Sequence, residues 1–220
     1  LELSDLVNLS KVKFENNYTR ALCYQLFENN GVIKRDSVNQ MIKNIFKEDR
    51  LNLRKIGVKI GRYHVFLPRM LKPSAVDLKV KLWKLFFPKE EKFVIPTSGL
   101  NFLKNKLNEN NKFLLICGFE NFNKFYVRVD ILERLFVKII DCTKKSIFKI
   151  DSSMVNLLGC SKENFFKLLE LMQYKKIKNL TNNEDMFIYK PKKIKMKNEK
   201  VIINNKENSP FSKLSELRFR

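Results

Sequence analysis

The chain has 220 residues, 44% of them hydrophobic and 12% aromatic, enough apolar material to bury a core and to exclude a disordered chain. Lys and Arg number 44 against 23 Asp and Glu, a formal net charge of +21 that favours phosphate-bearing partners. Every apolar run is interrupted by Lys, Glu or Asn before it reaches the length of a membrane span, and no signal peptide opens the chain, so a cytoplasmic protein is expected.

The abundance of Asn, Ile, Phe and Lys also matches AT-rich codons, so part of the lysine excess has a compositional reading. A first residue of Leu1 rather than Met leads us to expect a piece of a longer protein.

Residues 1 to 56 read as helices. Ala21, Leu22, Tyr24, Gln25, Leu26 and Phe27 share a helical stretch stopped by Gly31, and Asp36 or Ser37 can cap a second helix burying Val38, Met41, Ile42, Ile45 and Phe46. From Gly57 to Pro68 the pattern becomes extended, with Val58, Ile60, Tyr63, Val65 and Phe66 between glycines and a proline. Pro73 and Ser74 then open a helix whose buried face is read as Ala75, Leu78, Leu82, Leu85 and Phe86, with Trp83 beside it, ending at Pro88. Lys89 to Lys92 reads as a linker, and Phe93 to Pro96 as a short extended piece.

Lys112–Cys117 and Phe125–Val129 read as paired strands around a polar turn. Asp130 and Glu133 have the spacing of a D-x-x-E capping box, opening a helix that buries Ile131, Leu132, Leu135, Phe136, Ile139 and Ile140. Ser146–Ile150 is a strand, Asp151 or Ser152 caps a brief helix ended by Gly159, and Ser161 caps another carrying Phe165, Leu168, Leu169 and Met172. Tyr174–Lys178 and Met186–Tyr189 complete a hairpin. Helix, strand, helix, helix, hairpin is the order of a winged-helix domain. Past Tyr189 the lysines 190, 192, 193, 195, 197 and 200 mark a basic tail expected to be mobile.

Catalytic machinery is missing from this pattern. There is no G-x-x-x-x-G-K-[ST] loop and no magnesium-holding acidic cluster, so the chain alone is not expected to hydrolyse ATP. Cys23, Cys117, Cys142 and Cys160 form no C-x-x-C pair, and with His64 as the one histidine no ordinary zinc spacing can be drawn; buried, reduced thiols are expected. His64, between Tyr63 and Val65, reads as structural. Glu90 with Glu91, and Glu184 with Asp185, read as solvated carboxylates.

Basic residues among aromatics are the better candidates, because nucleic acids offer phosphates to cations and base faces to rings. Lys175, Lys176 and Lys178 beside Tyr174 would form the wing, and Lys162, Asn164, Lys167 and Gln173 would face outward from the second helix of the helix-turn-helix. Glu163 and Glu170 share that face and count against sequence-specific groove reading, hence against a transcriptional regulator. Arg62, Arg69 and Lys72 add charge around Phe66 and Met70.

The stretch G-V-K-I-G-R-Y-H-V-F-L-P-R-M-L-K-P from Gly57 to Pro73, followed by Leu82 and Trp83, resembles a segment in the C-terminal part of alphaproteobacterial Suv3-like helicases. Arg128–Leu135, Asn156–Ser161, Leu169–Tyr174 and Ser209–Leu217 resemble blocks of that family in the same order. The resemblance implies an ATP-dependent RNA helicase of superfamily 2, of DEAD/DEAH-box type, whose motor domains would precede Leu1 and hold ATP and magnesium; no cofactor is assigned to this chain. Relatives act in RNA unwinding and decay, often alongside an exoribonuclease. Gly57–Arg62 is loosely similar to the arginine-bearing motor motif, but Lys59 stands at the first arginine and the flanking residues suit a packed strand.

The expectation is therefore a mainly helical α+β chain: a helical accessory region over 1–92, a hairpin with a winged-helix-like domain over 93–190, and a basic tail over 191–220. It would bind RNA backbone, buttress the motor, or both. The alternative is a non-enzymatic interaction scaffold.

Overall fold

Short amphipathic helices and three small antiparallel sheets make up this α+β chain, seen in a computed structural model that describes residues 2–87, 95–97, 99–104, 110–143, 146–178 and 185–190. Leu1–Lys190 form one compact unit and Pro191–Arg220 a second, which lies outside the described residues together with the expected tail and the Ser209–Leu217 block.

After α1 (Ser4–Lys11), α2 (Asn17–Glu28) begins where the Asn16 side chain accepts the Tyr18 backbone N–H at 2.8 Å, and it buries Thr19, Leu22, Cys23 and Leu26. That spacing of three and four keeps one helix face on the core. β1 (Val32–Lys34), α3 (Arg35–Lys43), α4 (Lys47–Lys55), β2 (Lys59–Ile60) and β3 (His64–Phe66) follow. The sheet order is β1-β3-β2, with Val32 opposite Phe66 and Lys59 also opposite Phe66. Leu22, Leu26, Val38, Ile42, Leu53 and Val65 fill the core between them. The strand β1 inside this segment corrects the all-helical reading of residues 1 to 56. Neither Asp36 nor Ser37 is the cap of α3, which starts after Lys34 without a side-chain cap.

A second sheet, β4-β6-β5, joins β4 (Phe102–Lys104), β5 (Phe119–Asn121) and β6 (Phe125–Arg128), preceded by α5 (Pro73–Phe86) and with α6 (Asn111–Ile116) before β5. α6 corrects the strand expected over Lys112–Cys117: its Phe113, Leu114 and Ile116 are buried as a single helical turn, capped by the Asn110 side chain. The buried face of α5 is Ala75, Lys79 and Val80. Leu85 and Phe86, expected inside, are 77% and 78% exposed.

The third sheet, β7-β9-β8, contains β7 (Ile147–Lys149), β8 (Tyr174–Lys178) and β9 (Asp185–Tyr189). It is wrapped by α7 (Val129–Cys142), α8 (Ser152–Leu158) and α9 (Lys162–Leu171). Gly159 ends α8 in the left-handed region at φ 68°, and the Ser161 hydroxyl accepts the Asn164 N–H at 3.3 Å. The strand alternation of β6 links two cores: Phe125 and Val127 enter the third core while Tyr126 enters the second. On α7, Ile131, Leu132, Leu135 and Ile139 are buried but Ile140 is 53% exposed.

Helix, strand, one or two helices and two strands thus occur three times among the described residues, with the first strand beside the last in each sheet. In the middle repeat α6 is the only helix between the first strand and the hairpin among the described residues. Val32, Phe66, Leu71 and Val129 form a small cluster where the repeats meet.

Candidate nucleic-acid interface

The predicted basic residues of the third repeat do not act alike. Lys162 and Lys176 converge on Asp185, the first at 2.7 Å, and both ammonium groups lie over the Phe166 ring, at 5.4 and 4.8 Å from its centroid. Those two lysines hold the Asp185 carboxyl below its usual pKa. Strand alternation turns Lys175 to the opposite face from Lys176. Lys167 and Lys175 are exposed, with no carboxylate at ion-pair distance among the described residues. The backbone of Lys178 pairs with Asp185, and its side chain lies outside the described residues.

Arg69 lies within a 3₁₀ turn over Pro68–Leu71, and Lys72 follows it. Arg69 is bound to Asp5 at 3.2 Å, and Lys72 is exposed at the start of α5. The third member of that expected group, Arg62, has different surroundings. Its guanidinium sits 5.8 Å from the Phe136 ring centroid, and its backbone belongs to a turn built around a carboxylate.

That carboxylate is Glu133 on α7. It accepts the backbone N–H groups of Arg62 at 2.6 Å and of Tyr63 and His64 at 2.8 Å. The expected capping box with Asp130 does not form: Asp130 is held by Arg128 through two contacts of 2.6 and 2.7 Å, and Glu133 is spent on the β2–β3 turn. His64 is 1% exposed; its Nε2 lies 2.8 Å from Glu120 Oε2 and its Nδ1 lies 3.6 Å from Glu133 Oε1. Glu120 also receives Lys34 at 2.6 Å. Burial alone would lower the His64 pKa, but the two carboxylates outweigh it and hold it above its usual value. Burial would raise Glu120 and Glu133, and their hydrogen bonds instead hold both below the usual range.

Beside this junction opens a cleft of about 510 Å³, within the roughly 300–1,000 Å³ of ligand pockets. Arg35, Lys43 and Arg62 supply its cations and Asp36 a carboxylate, while Tyr63, Phe122 and Tyr189 supply rings. Arg35 is oriented by donating to the Gly61 carbonyl at 2.6 Å and to Asn39 Oδ1 at 3.3 Å. Met172 and Gln173, where α9 ends, close the other side; Gln173 takes a left-handed φ of 71°. Sequence reasoning found Arg62 and Gln173 and missed Arg35, Lys43 and Tyr189, which come from segments far apart in the chain. The available signal was the cation–aromatic mixture of each segment, not its spacing.

Among the described residues no group of three or more His, Cys, Asp or Glu is placed to hold a metal ion, and no helix is long and apolar enough to cross a membrane. No disulfide joins the four cysteines; Cys23 and Cys117 are buried, but Cys142 is exposed and Cys160 half-buried, which corrects the expectation of four buried thiols. No family model, curated protein or solved structure matches the chain.

Proposed function

We propose that the chain is an RNA-holding accessory region of a Suv3-like, ATP-dependent RNA helicase, built from winged-helix-like units that grip RNA backbone beside the motor. The observation that carries this reading is the order helix, strand, helix, helix and hairpin in the first and third repeats, with sheet order first-third-second in all three, which is the winged-helix order, in a chain of net charge +21. In the third repeat Lys167 and Lys175 are exposed, with no ion pair among the described residues, and Lys162 and Lys176 add to the field of the same domain. An exoribonuclease working on the unwound strand is the partner class the family resemblance supplies. Replacing Lys175, Lys176 and Lys178 together by Glu is the test: RNA affinity falls strongly if the third repeat grips phosphates, and unchanged affinity removes that assignment.

A second reading has its own observation. Leu85 and Phe86 on α5 are largely exposed, with Leu82 and Phe87 partly so, forming an apolar surface suited to a protein contact. On that reading the repeats are a scaffold and the charge is compositional.

A further inference from the structure

α3 is two-sided. Val38 and Ile42 face the core, while Asp36, Asn39 and Lys43, at i, i+3 and i+7, line the cleft described above. Across from them Arg62 projects from the β2–β3 turn, whose shape is fixed by the Glu133 carboxylate. Three cations and one carboxylate therefore share a recess that is also lined by Phe122 from the β5–β6 turn and by Tyr189 from β9. Tyr189 is 44% exposed, its ring packed against that of Tyr174 at 5.3 Å between centroids.

Cations beside partly exposed aromatic rings in a recess of this size suit a planar base attached to phosphates. A duplex keeps its base faces stacked inside, so only an unpaired nucleotide can use both features. A protein carboxylate would satisfy the cations but leave the rings idle.

We propose that this cleft receives an unpaired nucleotide of single-stranded RNA, its flanking phosphates on Lys43 and Arg62 and its base against Tyr189 and Phe122. Arg35, already tied to Gly61 and Asn39, adds a fixed positive wall, and Asp36 sets the limit on how many phosphates enter. The inference rests on the RNA-binding reading above and adds to it a location and a strandedness.

The test uses the full chain and fluorescent oligouridylate, titrated at several salt concentrations, with an RNA duplex as competitor. Lys43→Glu with Arg62→Glu removes two phosphate contacts, so the log–log salt slope shrinks by about 1.4 and affinity falls at least tenfold. Tyr189→Ala lowers affinity about tenfold with the slope unchanged, which separates stacking from charge. Tyr189→Leu, which keeps apolar packing on Tyr174, loses the same affinity, and thermal unfolding of each variant excludes simple misfolding. Lys167→Glu with Lys175→Glu serves as the comparison on the third repeat.

If the cleft variants bind like wild type while the third-repeat variant loses affinity, the cleft assignment is overturned and the RNA reading stands. If duplex competes better than single strand, the strandedness is overturned. If wild type binds no RNA at any salt, both fall.

Discussion

A side-chain carbon added to Gly61 would lie 2.3 Å from the carboxyl carbon of Glu133, so the glycine exists to let a helix carboxylate into the β2–β3 turn. Glu133 then occupies the cup of three N–H groups at Arg62, Tyr63 and His64, where an anion is favoured. Through this contact the third repeat fixes the shape of a loop in the first.

Gly61→Ala and Glu133→Ala should each lower stability by roughly 2–4 kcal/mol, because either change removes charge-assisted hydrogen bonds to three backbone donors, two of them part-buried. Urea unfolding measures this. The double variant should lose little more than the worse single variant, since both break one contact.

The His64 cluster makes stability depend on pH. Because its pKa is raised on folding, the stabilising contribution of His64 is fully present below about pH 6.5 and is lost as the pH rises through the folded value. Glu120 and Glu133 are lowered, so theirs is present above about pH 4.5 and lost on further acidification. The advantage of wild type over His64→Gln should therefore be larger at about pH 5.5 than at about pH 8, since that contribution declines above about pH 6.5. Denaturant midpoints at the two pH values decide it.

Lys79 is 2% exposed on the buried face of α5, with Nζ only 3.4 Å from the Asn30 carbonyl. Burial pushes its ammonium down to about 8, against a smaller pull upward from Cys117. A lowered lysine pKa means that folding disfavours the charged form, so wild type gains stability as the pH rises from about 8 towards 10.5. Lys79→Met should be more stable than wild type near neutrality, by up to about 3 kcal/mol, and the gap should narrow over that alkaline window. Thermal unfolding of both proteins across it provides the check.

Asp185 occupies two of the lysines that a phosphate would use. Asp185→Asn releases Lys162 and Lys176, and RNA affinity should rise with a salt slope steeper by up to about 1.4. A loss of affinity would mean that the pair with Asp185 is what positions those lysines.

What could be read from the sequence follows the range of the forces involved. The Gly159 stop, the Ser161 cap and the β8–β9 hairpin depend on neighbours within a few residues, and each was legible. β1 was not, because Val-Ile-Lys becomes a strand by pairing with His64–Phe66, about thirty residues away. The apolar run around Leu114 and Leu115 fits a strand or a helix equally well, and packing of Phe113 and Leu114 against α5 selects the helix. Glu133 satisfied a local capping pattern, yet the distant turn offered it three donors instead of one. The cleft shows locally no more than a cation–aromatic mixture in each segment, since its cations and rings meet only after the three repeats pack.

The most direct measurement is binding of the full chain to labelled single-stranded RNA, duplex RNA and duplex DNA across a range of salt concentrations. The account predicts preference for single-stranded RNA, with log affinity falling against log salt by roughly 0.7 for each phosphate neutralised. Weak binding with no preference among the three would contradict it and leave the repeats as a protein scaffold.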